Sequence, residues 1–219
     1  MIRPRTVYLI ISLTLILILI LVLAYYIYFK RILADTIYGT EISKVTKQID
    51  INNDGINEAI ILSQFKKDGK NIFVIDYESK VSDSQLELEG FESGVDFCPD
   101  PFPKISKDKR IICTYGFVGA HSQNIQLFQI LNNKLEVLKI VTQESKLINI
   151  SSDVPKFGFE DLNHNGNLYF YVEDRNYNLD PTLDSWRSYY YFRDGEFIFD
   201  HKIALQGGIE TSNQQGKIN

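Results

Sequence analysis

Asp50, Asn52, Asp54 and Glu58 stand at positions 1, 3, 5 and 9 of a nine-residue stretch whose sixth residue is Gly55, and all four side chains carry oxygen. In a tight turn, alternate side chains converge on one point. This spacing therefore suits a hard cation such as calcium, with the Ile56 carbonyl as a backbone ligand and Gly55 permitting the sharp bend. Three carboxylates then offset the divalent charge. The competing reading is a plain turn, because Asn, Asp and Gly dominate corners without any metal, although turn chemistry alone requires neither Asp50 nor Glu58. An EF-hand would need a bidentate Glu at position 12, where Ile61 stands, and flanking helices where the pattern here is strand.

Thr46-Lys-Gln-Ile-Asp50-Ile-Asn-Asn-Asp-Gly-Ile-Asn-Glu58-Ala-Ile-Ile-Leu62 places this loop between two apolar runs. In that arrangement it resembles the short calcium loop of FG-GAP and VCBS repeats, found in integrin-alpha-like propellers and bacterial surface proteins. The pattern there is D-x-N-x-D-G-x-x-D/E between strands. The resemblance implies calcium ligation by Asp50, Asn52, Asp54 and Glu58. A second copy, Phe157-Gly-Phe-Glu-Asp161-Leu-Asn163-His-Asn165-Gly166-Asn-Leu168-Tyr169, keeps the frame but carries Asn165 at position 5 and Tyr169 at position 9. One carboxylate remains there, so a turn is the expected role. The stretch from Lys104 to Arg110 has lost the pattern.

No residues select a reaction. His121, His164 and His201 fall in no metal-ligand spacing, and there is no G-x-S-x-G nucleophile elbow, no phosphate-cradling G-x-x-x-x-G-K-S/T and no G-x-G-x-x-G. An acidic β-rich body always offers paired carboxylates for glycoside hydrolysis, but nothing singles out a pair. One aromatic cluster stands out: Trp186, Tyr189, Tyr190, Tyr191 and Phe192, facing Phe197 and Phe199 across Asp194-Gly195. Strand alternation puts Trp186, Tyr190 and Phe192 on one face and Tyr189 with Tyr191 on the other. With one face in the core, the other could serve as an aromatic platform for a glycan or protein partner; cross-strand packing is the plainer explanation.

The elements that must position these residues read mainly as strands. The first group is Lys47 to Ile51, Glu58 to Gln64, Asn71 to Tyr77 and Gln85 to Glu89, and the second is Val95 to Cys98, Arg110 to Phe117, Asn124 to Leu131 and Lys134 to Val141. A third runs Lys156 to Leu162, Leu168 to Glu173, Trp186 to Arg193 and Glu196 to Ile203, its last two strands joined by a type I′ signal at Asp194-Gly195. Polar-loop-then-strand junctions recur near Glu58, Arg110 and Leu168, at spacings of 52 and 58 residues. Such periods predict an all-β body of three roughly four-stranded antiparallel units, propeller-blade-like but too few to close a ring. An open arc, a compact stack and a sandwich all satisfy that pattern.

Ahead of this body, residues 7–29 form an apolar run that spans roughly 34 Å as a helix, enough to cross a hydrocarbon core. Its aromatic end, Ala24-Tyr25-Tyr26-Ile27-Tyr28-Phe29, resembles an interfacial belt more than the small-residue end of a cleaved signal peptide. The expected organisation is a tail over 1–6, an anchor over 7–29, a juxtamembrane linker over 30–44, a β-repeat domain over 45–205 and a flexible tail over 206–219. Basic residues on both sides of the span leave its orientation open. Cys98 and Cys113 are the only cysteines and could form a disulfide in an oxidising compartment or sit as two buried thiols. Beyond residue 31 the chain carries 19 Lys and Arg against 28 Asp and Glu, which disfavours nucleic acid as a partner.

The expected function is a membrane-anchored, extracytoplasmic, non-enzymatic β domain with a structural calcium loop and an unknown protein or glycan ligand. The alternatives are a cell-envelope glycan-binding module built on the aromatic strand 186–192, or an anchored hydrolase with unidentified carboxylates.

Overall fold

Eighteen strands follow one long helix in the computed structural model, which describes residues 4–107, 109–119, 122–152, 156–175, 185–206 and 209–210. The helix α1 (Pro4–Tyr38) contains one stretch, Leu13–Lys30, long and apolar enough to cross a membrane, and its side chains there are exposed. It does not end at the apolar run. The segment 30–44, expected as a linker, is helix as far as Tyr38 and strand from Thr40.

Gly39 makes that abrupt change possible. Its φ is +88°, and a Cβ there would meet the Lys66 carbonyl oxygen at 2.3 Å. Glycine is the residue that closes a helix in this conformation. The last turn is then tied down: Lys67 Nζ donates to the carbonyls of Thr36 (2.9 Å) and Ile37 (2.7 Å), and the Tyr38 ring rests on Phe65. These bonds satisfy carbonyls that a helix end otherwise leaves orphaned.

Strands β1 (Thr40–Ile49), β2 (Glu58–Lys67), β3 (Lys70–Glu78) and β4 (Asp83–Leu88) form an antiparallel meander in that order. Next come β5 (Ser93–Phe97), a two-stranded ribbon of β6 (Lys104–Ser106) and β7 (Lys109–Arg110), then β8 (Ile112–Val118), β9 (Ser122–Leu131) and β10 (Lys134–Val137). The second sheet runs β10-β9-β8-β5. After β11 (Lys139–Val141), β12 (Lys146–Leu147) and β13 (Ile150–Ser152), the third meander consists of β14 (Phe157–Glu160), β15 (Tyr169–Arg175), β16 (Ser185–Arg193) and β17 (Glu196–Gln206), with β18 (Ile209–Glu210) pairing with β17.

Lys134 to Val141, expected as one strand, is two strands in different sheets. Leu138 is fully buried between them, its N–H bonded to the Leu127 carbonyl, and β11 goes on to pair in parallel with β17. That step laces the second sheet to the third, and β13 returns to pair with β9.

Side-chain alternation explains how the sheets stack. One core cluster joins Ile60, Leu62, Phe73 and Ile75 of the first sheet to Ile112, Phe128 and Leu135 of the second. The other joins Cys113, Ile125 and Leu127 of the second to Phe170, Val172, Tyr190 and Phe197 of the third. Successive residues of β8 and β9 point to opposite clusters, so the middle sheet is covered on both faces and β9 is buried almost throughout. The edge strand β1 is exposed almost throughout and carries Glu41, Lys44 and Lys47, charges that discourage edge-to-edge pairing.

The body is therefore a stack of three mainly antiparallel sheets. Cys98 and Cys113 are joined as a disulfide inside the second cluster, 15 residues apart in sequence, so they are not a pair of free thiols. The stack shows no closed ring among the described residues. His121 and most of the C-terminal tail, 207–208 and 211–219, lie outside those residues.

Candidate functional site

The meander of each outer sheet begins with a strand, a polar loop and a second strand. In the first loop, between β1 and β2, Asp50 Oδ1 accepts from Asp54 N–H (3.0 Å) and Oδ2 from Gly55 N–H (2.8 Å). Asp54 Oδ1 accepts from Ile56 N–H at 2.8 Å. In the second loop, between β14 and β15, Asp161 Oδ1 accepts from Asn165 N–H (3.1 Å), Oδ2 accepts from Gly166 N–H (2.8 Å), and Asn165 Oδ1 accepts from Asn167 N–H (2.9 Å).

These three bonds match position for position; the first loop adds a fourth, from Asp54 N–H to Asn52 Oδ1 at 2.9 Å. The backbone agrees as well: Asn53 and His164 at position 4 have φ of +60° and +51°, and Gly55 and Gly166 at position 6 have +83° and +81°. His164 is thus a turn residue in the left-handed region.

The loops differ at the ninth position. Glu58 is 3% exposed; its Oε2 accepts from Ile51 N–H (3.1 Å) and its Oε1 from Asn52 Nδ2 (3.2 Å). Asn52 Nδ2 donates to Asp54 Oδ2 too, at 3.0 Å. The positive end of one amide thus sits between two carboxylates, while Asp50 is turned to the backbone. The structure gathers Asn52, Asp54 and Glu58, and among the described residues no three His, Cys, Asp or Glu side chains form a metal-holding group on their own.

Below this loop lies a residue that its sequence pattern did not single out. Tyr77 is fully buried and its hydroxyl makes no hydrogen bond of ordinary geometry. Burial above all, then the nearby Glu58 and Asp54 carboxylates, push its pKa up, and Ser79 only partly offsets this. Its place as the last inward residue of the Asn71-to-Tyr77 strand was the available signal.

The aromatic strand does not form an open platform. A bulge at Tyr189/Tyr190 shifts the register, Tyr190 enters the core with Phe197, and Tyr189 is also buried, at 1% exposure. Tyr189 belongs to a charged network: its hydroxyl donates to Glu160 Oε2 (3.0 Å) and accepts from Arg187 Nη1 (3.1 Å). Arg187 donates through Nε (3.0 Å) and Nη2 (2.6 Å) to Glu173 Oε1 and lies 4.5 Å over the Tyr171 ring. Glu173 is 1% exposed and its second oxygen has no hydrogen-bond partner; Lys156 Nζ is 3.7 Å away. Burial and the Glu160 carboxylate hold the Tyr189 phenol well above its ordinary pKa, against the pull of Arg187. Cross-strand register places Glu173 opposite Arg187, a pairing that residue spacing within either strand cannot reveal.

Two cavities accompany these elements. One, about 930 Å³, lies between the end of α1 and the outer face of the first sheet, where Lys30, Lys44 and Lys67 alternate with Glu41, Asp76 and Glu78. The other, about 220 Å³, opens beside the second loop. Compared with protein-family models, with curated proteins and with solved structures, the chain matches none.

Proposed function

We propose that this protein is a membrane-anchored, extracytoplasmic and non-enzymatic binding domain whose first loop is held by calcium. The convergence of Asp54 and Glu58 on a single amide hydrogen donor carries this reading. Two carboxylates facing one point repel unless something positive lies between them, and here that is the weakly positive end of Asn52. A divalent ion satisfies the same need far more strongly. In the proposed holo form Asn52 turns its carbonyl oxygen inward, and Asp50, Asn52, Asp54, Glu58 and the Ile56 carbonyl supply the ligands. Asp54 N–H keeps its bond to Asp50 when Asn52 turns.

Calcium here is structural: it fixes the corner between β1 and β2 and relieves charge above the buried Tyr77. Placement outside the cytoplasm is supported by the disulfide and by the apolar helix. Isothermal calorimetry of the detergent-solubilised full chain should detect calcium with a Kd of about 10⁻⁴ to 10⁻³ M, the range of extracellular modules. Asp54→Ala should abolish the heat. No calcium binding by the intact chain, or equal binding by the variant, overturns the assignment.

A further inference from the structure

The cavity of about 220 Å³ beside the second loop differs in chemistry from the rest of this acidic surface. Asn163, Asn165 and Asn167 from the loop, Ser106 from β6, and Tyr169 and Tyr191 from β15 and β16 line it, with no Asp, Glu, Lys or Arg among the described lining residues. The larger cavity by α1 is lined by eight charged side chains. A lining without ionic groups favours an uncharged ligand, since a charge entering it would lose water without a counter-ion in the lining; Lys109, whose ammonium lies over the Phe192 ring, is engaged by Gln129 Oε1.

The polar groups remain available. Asn163 uses its Nδ2 on the Tyr169 hydroxyl (3.1 Å) and Asn165 uses its Oδ1 on Asn167 N–H, which leaves the Asn163 oxygen, the Asn165 NH₂ and the Asn167 side-chain amide without a partner among the described residues. A carboxamide offers a donor and an acceptor side by side. That geometry matches adjacent hydroxyls, each of which both gives and takes a hydrogen bond. The Tyr169 ring is half-buried and has no stacking partner among the described residues, so it presents a face to the C–H side of a sugar ring. The volume falls below the ~300–1,000 Å³ of sites for drug-sized ligands. It is suited to one ring.

The loop's own frame explains how the amides are held. Asp161 fixes the backbone through Asn165 and Gly166, and Leu168 N–H bonds the Ile105 carbonyl, which ties the loop to the β6 side of the cavity. Replacement of the carboxylates at positions 5 and 9 by Asn165 and Tyr169 removes cation ligands and supplies an amide and a ring.

We propose that this cavity binds a neutral sugar unit of a glycan, through the Asn163, Asn165 and Asn167 amides with Tyr169 as the stacking ring. This assignment is independent of calcium at the first loop. The test uses the full chain in a detergent without a sugar headgroup, with saturation-transfer NMR and calorimetry against cellohexaose, chitohexaose and maltohexaose, and an oligogalacturonate as the charged control. At least one neutral oligomer should bind saturably, with affinity unchanged by excess EDTA.

Asn167→Ala, on an exposed side chain with no hydrogen bond to the described residues, should weaken that binding ~10-fold, as should Tyr169→Ala, while Tyr169→Phe keeps most of it. Trp186→Ala, outside the cavity, should leave it unchanged, and thermal melting of each variant checks that it is folded. The proposal is overturned if no neutral oligomer binds at millimolar concentration, if the oligogalacturonate binds as well, if EDTA removes binding, or if folded Asn167→Ala binds like the native chain.

Discussion

Glu58 and Tyr169 close two loops that share three backbone hydrogen bonds and their left-handed residues, yet Glu58 is buried beneath its loop and Tyr169 stands half-open beside a cavity. The shared part depends on the first and sixth positions, Asp50 with Gly55 and Asp161 with Gly166. The part that differs depends on the fifth and ninth. One corner of the fold thus serves two chemistries: a carboxylate set facing a point, and an amide and aromatic set facing a hollow. The middle sheet has neither loop, and at its corresponding corner the Cys98–Cys113 bridge joins the end of β5 to β8.

The largest expected effect comes from that third corner. If the loops fix the outer sheets and the bridge fixes the middle one, the double variant Cys98→Ala/Cys113→Ala should lose about 3 kcal/mol, the chain-entropy value for a loop of this length. Urea denaturation of the detergent-solubilised chain measures it. A loss under about 1 kcal/mol would mean that packing from both sides holds the middle sheet without the bridge.

The ninth position is the next lever. Glu58→Ala strips the acceptor from the buried Ile51 N–H and from Asn52, and should cost about 2 kcal/mol. Tyr169→Phe loses a single bond at the surface and should cost roughly 0.5 kcal/mol. Equal losses in the two variants would erase the contrast between a buried anchor and an open rim.

Exchange of the chemistry itself sharpens the comparison further. Asn165→Asp with Tyr169→Glu restores three carboxylates to the second loop, on a backbone already matching the first. With calcium at ten times its Kd, the added stability should be about 1.4 kcal/mol. Differential scanning fluorimetry with and without calcium reads it as a rise in Tm beyond that of the native chain, whose first loop is the same. No rise beyond the native one would show that the shared backbone is insufficient and that the buried ninth position also matters.

The first loop's residues and both left-handed corners were readable because Asp, Asn and Gly at fixed spacing constrain a short backbone locally. The strand groups were readable for the same reason, as alternation and turn signals are local: Asp194 and Gly195 do take φ of +53° and +84°. What failed depends on distant partners. The continuation of α1 to Tyr38 rests on Lys67 and Phe65 from β2, and the split at Leu138 rests on β17, more than fifty residues later. Burial of Tyr189 follows from its cross-strand neighbours and from a bulge that alternation cannot reveal. The cavity beside Asn167 needed Ser106, which belongs to a ribbon too short for alternation to mark as strand.

The same contrast extends to the outer faces of the two sheets. Glu173 on the third sheet is neutralised by Arg187, whereas Asp76 on the first has Glu78 nearby and no arginine. Burial first, and Glu78 second, raise the Asp76 pKa to about 6, with Lys44, Lys30 and a Gln85 hydrogen bond pulling the other way. A carboxyl raised in the folded state favours the proton there. Its stabilising contribution is complete below the unfolded value of 3.8 and is lost as pH rises through about 6. Asp76→Asn imitates the protonated form at every pH. Discounted for solvent screening at a partly exposed position, it should stabilise the chain by about 1 kcal/mol near pH 8, with the difference vanishing near pH 4. Urea midpoints of both proteins across that range test the sign. If the variant is less stable near pH 8, the negative charge at Asp76 is compensated by the lysines of the neighbouring cavity, and the first sheet has its own counterpart of the Glu173–Arg187 pair.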